Sequence, residues 1–248
     1  MLRPLVVLPT YQESATIAAA VRGIRSSLDS AFILVVDDGS PDGTAALAQE
    51  LAAELGRMHV MRRPAKAGLG SAYRDAFAWG LEREFDAMVE MDADLSHDPA
   101  ALPTLMRGLE EGADLVIGSR YIAGGSIPSW SWRRLALSRA GNHYASVMLG
   151  LQVADATSGY RAYRANMLRA LNLAAVRADG YGFQIEMVYR INQAGGKVIE
   201  VPIAFVDRTL GASKMSGRVV LEALVLVTGW GIRDRLVGAG AGRRLAPD

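Results

Sequence analysis

The sequence predicts an α/β fold with a mostly parallel central sheet flanked by helices. Three observations predict it. Short runs of branched apolar residues recur through the first half of the chain, helical patterns separate them, and polar motifs close three of the runs. Strands that alternate with helices need crossover connections, which are right-handed and build parallel sheets.

In chain order, residues 4–9 (PLVVLP) form the first strand, and Ile17, Ala20, Val21, Ile24 and Leu28 then share one helical face. Phe32–Asp37 is the second strand. Asp42 in SPDGT serves as the N-cap of a helix carrying Leu47, Leu51 and Leu55. Met58–Arg62 is the third strand, followed by a helix with Tyr73, Phe77, Gly80 and Leu81 on one side. Residues 87–91 form the fourth strand, Pro99 opens another helix, and residues 115–118 form the fifth strand. After Gly118 the rhythm changes. AGGSIPSWSW (123–132) is turn-rich and reads as a mobile loop. A helix to about Leu149 follows, then an irregular DATSGYRAYR, a helix near 183–193 and a strand at 197–205. The final GAGAGRRLAPD (238–248) reads as disordered.

The densest chemistry lies in VEMDADLSHD (89–98), where Asp92 and Asp94 stand on alternate positions as the chain leaves a strand. Open α/β sheets place ligands at the C-terminal ends of their strands. Two carboxylates this close call for a cation, and a hard divalent ion such as Mg²⁺ or Mn²⁺ takes one or two carboxylates plus substrate phosphates. Alone, the motif also fits a solvated acidic loop. Its company decides: PTYQE (9–13) and DDGS (37–40) close two other strands of the same sheet, so the three motifs together outline a nucleotide-diphosphate cleft.

Composition sets the bounds. The 248 residues are 50% hydrophobic and 21% charged, as in folded globular proteins. The absence of cysteine excludes disulfides, thiol nucleophiles and Cys-based metal sites. His59, His97 and His143 are too scattered for a zinc centre, and His97 and His143 read as structural. The apolar stretch at the N-terminus is too short for a signal peptide, so a cytoplasmic protein is expected. Residues 219–232 are apolar but too short to span a bilayer, so they form a core, interface or membrane-surface helix. The net charge of +1 conceals an asymmetry. Residues 82–114 hold ten acidic side chains against Arg83 and Arg107, whereas residues 121–176 hold six arginines against Asp155 alone. A cation site followed by a basic region suits a metal-chelated anion and a second anionic partner.

Eight segments stand in order along the chain: PTYQE (9–13), VVDDGSPDGT (35–44), RPAKAGLGSAY (63–73), MDADLSHDP (91–99), GSRYIAGG (118–125), DATSGYRAY (155–163), GYGFQIEM (180–187) and DRTLGASK (207–214). Together they resemble the inverting glycosyltransferases of the GT-A fold, and within them the polyprenol-phosphate (dolichol-phosphate) mannosyl synthases. The resemblance implies transfer of mannose from GDP-mannose to a polyprenyl phosphate with inversion. It assigns Pro9, Tyr11, Glu13, Asp37, Asp38, Lys66, Gly70 and Ala93 to the sugar nucleotide, and Asp92 and Asp94 to the metal, with Asp94 the more direct ligand. Ser96 stands where some members carry a Gln ligand. Arg208, Ser213 and Lys214 close over the diphosphate. Arg120 and one of Arg133 or Arg134 face the acceptor phosphate. Asp94, Arg120, Arg208 and Lys214 are the expected catalytic set. Guanine and mannose rest on the resemblance alone.

The expected organisation is one catalytic domain (1–215), with a nucleotide-sugar half (1–120) and an acceptor half (121–215), then a C-terminal interface helix (216–237). Tyr160 reads as core, and Arg161 fits a structural or a functional role. The expected partners are the sugar nucleotide, the lipid phosphate, the membrane surface and, optionally, a separate membrane-anchoring protein, but not nucleic acid. Peripheral attachment to the cytoplasmic face is expected through the arginines of 121–176, the helix at 219–232, Trp130 and Trp132. Rival readings are the same fold with another donor of the UDP-glucose type, a catalytically silent sugar-nucleotide-binding regulatory subunit, and a nucleotidyltransferase. PTYQE lacks the glycine-rich signature that the last would need.

Overall fold

The computed structural model describes residues 2–207 and 217–242. Its elements are β1 (Pro4–Thr10), α1 (Ile17–Ser27), β2 (Phe32–Asp37), α2 (Thr44–Leu55), β3 (Met58–Arg62), α3 (Leu69–Glu82), β4 (Ala87–Glu90), α4 (Leu102–Glu110), β5 (Leu115–Ser119), α5 (Trp132–Leu149), β6 (Arg161–Arg164), α6 (Ala165–Ala170), α7 (Gly180–Gln193), β7 (Val198–Pro202) and α8 (Gly217–Gly242). The strands form one sheet in the order β3-β2-β1-β4-β6-β5-β7. Four of its six pairings are parallel, as the alternating sequence pattern requires. β6 runs antiparallel to both neighbours. The expected irregular stretch at DATSGYRAYR is therefore a turn followed by a central strand. Four residues reading RAYR carry no alternating apolar signal, because Arg161 is itself fully buried.

Both faces of the sheet are covered. On one, α1, α2 and α4 supply Ile17, Val21, Ile24, Leu51, Leu105 and Leu109 to a core with Val6, Leu8 and Val89. On the other, α3 and α7 contribute Tyr73, Phe77 and Phe183: Tyr73 stacks on both phenylalanines, and Phe77 meets Tyr163 edge-on. The strands are apolar on both faces because both are buried. Asp42 lies one residue ahead of the α2 cap at Gly43. Its carboxylate accepts from the Thr44 backbone N–H (3.2 Å), the Thr44 hydroxyl (2.6 Å) and the Ser14 backbone N–H (3.1 Å). Those hydrogen bonds outweigh the opposing effect of desolvation and hold its pKa at about 2.

β1 lies between β2 and β4, so the chain leaves the sheet centre in opposite directions on either side of it. This switch point opens a crevice at the C-terminal strand ends. α8 docks on α5 and α7: Trp230 stacks on Tyr189 at 5.6 Å, the Tyr144 and Thr228 hydroxyls lie 2.7 Å apart, and Val227 is buried. The helix extends to Gly242, into the stretch expected to be disordered, and residues 243–248 lie outside the described ones. Among the described residues no helix is long and apolar enough to cross a membrane.

Candidate active site

A cleft of about 400 Å³ occupies the switch point. Pro9, Tyr11, Glu13, Asp38 and Lys66 line one side, and Asp92, Ala93 and Asp94 line its floor, so eight sequence-predicted residues come together. Asp38 takes a hydrogen bond from Arg63 Nη1 at 2.8 Å. Burial raises its pKa, and Arg63 partly offsets that. The Lys66 ammonium sits 4.6 Å from the centre of the Tyr11 ring, a cation over an aromatic face that also borders the nucleotide side.

Two expected nucleotide contacts do not reach the cleft. Asp37 is buried, and its carboxylate accepts from the Ser40 N–H (3.0 Å), the Ser40 hydroxyl (2.6 Å) and the Thr10 hydroxyl (3.1 Å). It shapes the DDGS turn instead. Gly70 donates its N–H to Asp179 at 3.1 Å, and a Cβ there would lie 2.6 Å from the Ala178 carbonyl oxygen. Its lack of a side chain serves the close approach of α3 to the start of α7.

The D-x-D turn is held from behind. The Asp92 N–H donates to His97 Nδ1 at 3.1 Å, which places the proton of the neutral ring on Nε2. His97 is buried and stacks on Tyr160 at 4.8 Å. The Tyr160 hydroxyl donates to the Asp98 carbonyl at 3.0 Å, which ties this stack to the loop that follows the D-x-D turn. The Ser96 N–H donates to Asp94 Oδ1 at 3.0 Å, and Leu95 between them takes φ +65°. The Ser96 hydroxyl is buried in the cleft wall with no partner among the described residues. Asp92, Asp94 and this hydroxyl suit a hard divalent cation that completes its shell with phosphate and water. Among the described residues there is no cluster of three or more His, Asp or Glu that could replace such external ligands.

On the acceptor side, Arg120 is buried against a fully buried Asp155: Nε to Oδ2 and Nη2 to Oδ1 are each 2.7 Å, with Nη2 also 2.9 Å from Thr157 Oγ1. Desolvation works against this charge, but the field and hydrogen bonds of Asp155 outweigh it and raise the Arg120 pKa. Arg134 lines the cleft, pairs with Asp207 at 2.8 Å and lies 3.9 Å from the centre of the Trp130 ring. Arg133 is exposed beside Trp132 and does not line the cleft, so of the two arginines only Arg134 borders it. Trp130, expected at headgroup depth, turns inward, with its Nε1 donating to Asp207 at 3.2 Å and its ring on Phe205. Arg208, Ser213 and Lys214 lie outside the described residues. Arg161 is settled as structural, donating to the carbonyls of Ala156, Ser158 and Gln184 at 2.7 Å each.

A second, largely apolar groove of about 300 Å³ runs between α5 and α8, past Leu137, Ala145, Ile185, Leu224 and Val227. Arg120, Trp130, Arg134, Thr157 and Tyr181 border both this groove and the cleft, so two guanidinium groups stand where the two cavities meet. Sequence reasoning missed Asp155, Asp207, Tyr181 and Gln184 as site residues. All four fall in segments it had singled out (DATSGYRAY, GYGFQIEM and DRTLGASK), but only the fold shows which members face inward.

Residues 5–171 match the model of glycosyl transferase family 2. The chain is 51% identical over 235 residues to polyprenol monophosphomannose synthase of Mycolicibacterium smegmatis, covering 94% of this chain and 89% of that one. It is 48% identical over 240 residues to undecaprenyl-phosphate mannosyltransferase of Micrococcus luteus, covering 97% and 98%. In fold it is similar to glucosyl-3-phosphoglycerate synthase from Mycobacterium tuberculosis, solved with Mn²⁺, UDP-glucose and phosphoglyceric acid. The TM-score is 0.69 at 22% identity, over 93% of this chain and 80% of that one.

Proposed function

The chain belongs to glycosyl transferase family 2, and we propose that it transfers mannose from GDP-mannose to a polyprenyl phosphate with inversion. One observation carries the acceptor assignment: Arg120 and Arg134 stand between a polar cleft and an apolar groove. A molecule that occupies both must present an anion at the junction and a hydrocarbon chain beyond it, as a lipid phosphate does.

In this reading the nucleotide lies along Pro9, Tyr11, Glu13, Asp38 and Lys66. Asp92 and Asp94 would hold a divalent cation, which would supply positive charge to the diphosphate as a leaving group. The guanidinium groups orient the acceptor phosphate so that one of its oxygens faces the anomeric carbon opposite the diphosphate. The new C–O bond forms as the bond to the diphosphate breaks, which inverts that carbon. The attacking phosphate is already ionised near neutral pH, so no side chain has to remove a proton. The segment with Arg208, Ser213 and Lys214 supplies further charge to the departing diphosphate.

The outer face of α8 exposes Leu221, Val225, Ile232 and Leu236, and α5 exposes Trp132, Leu137 and Val147. We place this surface against the membrane on its cytoplasmic side, with the groove opening toward the lipid acceptor. Arg133, Arg139 and Arg169 are exposed and available to anionic headgroups, whereas Arg161 and Arg164 are bound to backbone carbonyls. The electrostatic share of attachment is therefore smaller than a count of six arginines suggests.

Acceptor preference tests the reading. A short polyprenyl phosphate should show a far lower KM than a water-soluble phosphate monoester such as phosphoglyceric acid, and GDP-mannose should outperform UDP-glucose. Equal use of the soluble acceptor would contradict the lipid assignment, and preference for UDP-glucose would move the donor to the rival reading.

A further inference from the structure

The side chain of Gln184 on α7 takes no part in metal, diphosphate or acceptor binding as described above. Its side chain is buried, yet it lines the cleft alongside the D-x-D turn. Its position is fixed twice: Nε2 donates to Glu90 Oε2 at 2.7 Å, and its backbone carbonyl accepts from Arg161 Nη1 at 2.7 Å. Glu90 is fully buried at the end of β4. In this arrangement the amide nitrogen engages Glu90 and Oε1 faces the other way. Oε1 is buried and has no hydrogen-bond partner among the described residues. The amide also abuts the cleft wall, since a Cβ on Gly159 would lie 3.9 Å from Nε2 and 3.8 Å from His97 Cε1.

A buried acceptor without a donor is costly to keep, and such a group in a cleft marks a place for a ligand donor. The diphosphate and the acceptor phosphate offer only acceptors, whereas the sugar between them carries uncharged hydroxyls. The ribose hydroxyls belong to the opposite side, near Asp38 and Lys66. An amide adds no negative charge beside Asp92 and Asp94, and it cannot act as a base, which this reaction does not need. We propose that Gln184 Oε1 accepts a hydrogen bond from one hydroxyl of the transferred sugar and so contributes to sugar discrimination, with Glu90 as the positioning residue that holds the amide in that orientation.

This inference rests on the glycosyl-transfer reading, and the test separates the two. Wild-type protein and Gln184→Met are compared on GDP-mannose and each of its monodeoxy analogues. If the wild type transfers nothing from GDP-mannose, the donor reading fails by itself, and the same comparison is made with UDP-glucose and its deoxy analogues. For one analogue, the wild type should lose about tenfold in kcat/KM. In Gln184→Met that one penalty should vanish while the others persist. Each ratio is taken within one protein preparation, so partial unfolding of a variant cancels. Should Gln184→Met fail to fold, Gln184→Asn is read in the same way. A variant that keeps every penalty of the wild type, or a wild type indifferent to every deoxy position, would overturn the proposal.

Discussion

Replacing Asp155 with alanine removes the anion from a buried ion pair and leaves its cation in place. Asp155 is fully buried, and its two oxygens accept from the backbone N–H of Arg120 (3.0 Å) and from Nε and Nη2 (2.7 Å each). After the substitution the guanidinium keeps the Thr157 hydroxyl nearby but has no counter-charge. Stranding a buried charge in this way costs roughly 3–5 kcal/mol. For a chain of this size each kcal/mol lowers Tm by about 2–4 °C, so the expected drop is roughly 6–20 °C. The released side chain also loses the geometry that aims it at the acceptor phosphate, so kcat/KM for polyprenyl phosphate should fall while binding of the nucleoside diphosphate is kept. Calorimetry on Asp155→Ala, Arg120→Met and the double variant separates the two effects. Removing both partners strands no charge, so the double variant should be more stable than Asp155→Ala alone, yet remain poor in transfer. A Tm within about 2 °C of wild type for Asp155→Ala, or a double variant no more stable than it, would refute this account of the pair.

Other expectations follow from the same geometry. Arg134→Ala should lower kcat/KM for the lipid phosphate roughly tenfold to hundredfold, the value of a charge-assisted contact, whereas Arg133→Ala should leave it nearly unchanged; equal losses in steady-state assays would contradict the assignment to Arg134. Asp94→Asn should keep its fold by circular dichroism but lose metal-dependent nucleotide binding, and titration calorimetry showing an unaltered metal requirement would remove Asp94 from the metal site. Glu90 should give a pH signature. Burial above all lifts its pKa from 4.5 to about 7, against the pull of Arg161, Gln184 and Tyr163. Between those values the folded state keeps a proton that the unfolded state has released, so stability falls as pH rises through the window, by about 3 kcal/mol in all. Glu90→Gln should flatten that slope in denaturant titrations run with a chelator, and an unchanged slope would mean that Glu90 titrates normally. Vesicle sedimentation should show binding that weakens when Trp132 and Val225 are replaced by aspartate; binding indifferent to both would place the membrane contact elsewhere.

The parallel half of the fold was legible because its signals are local. β2 and β3 have the predicted limits, and the buried face of α1 is the predicted one. β6 was hidden because a buried arginine satisfied by three carbonyls looks, in sequence, like a solvated charge. The donor side of the site was equally readable, since Pro9, Tyr11, Glu13, Asp38, Asp92 and Asp94 all lie at or just past strand ends. Asp37 and Asp38 show the limit of that reading. Neighbours in a turn point to opposite sides, and only the hydrogen bonds of Asp37 to Ser40 and Thr10 reveal which one faces inward. The acceptor side depends on contacts between distant segments, such as Arg120 with Asp155 and Arg134 with Asp207, which no single motif contains. The same holds for Trp130, whose amphipathic character suits a membrane interface and a cleft wall alike.

The most direct test of the central claim is the product itself. Purified protein is incubated with radiolabelled GDP-mannose, Mg²⁺ or Mn²⁺ and a short polyprenyl phosphate, and the organic phase is then extracted and treated with mild acid. The account predicts a labelled lipid that forms only when metal and acceptor are both present and that releases mannose in acid. Label that stays wholly in the aqueous phase, or a labelled lipid that forms equally well without the divalent cation, would contradict it.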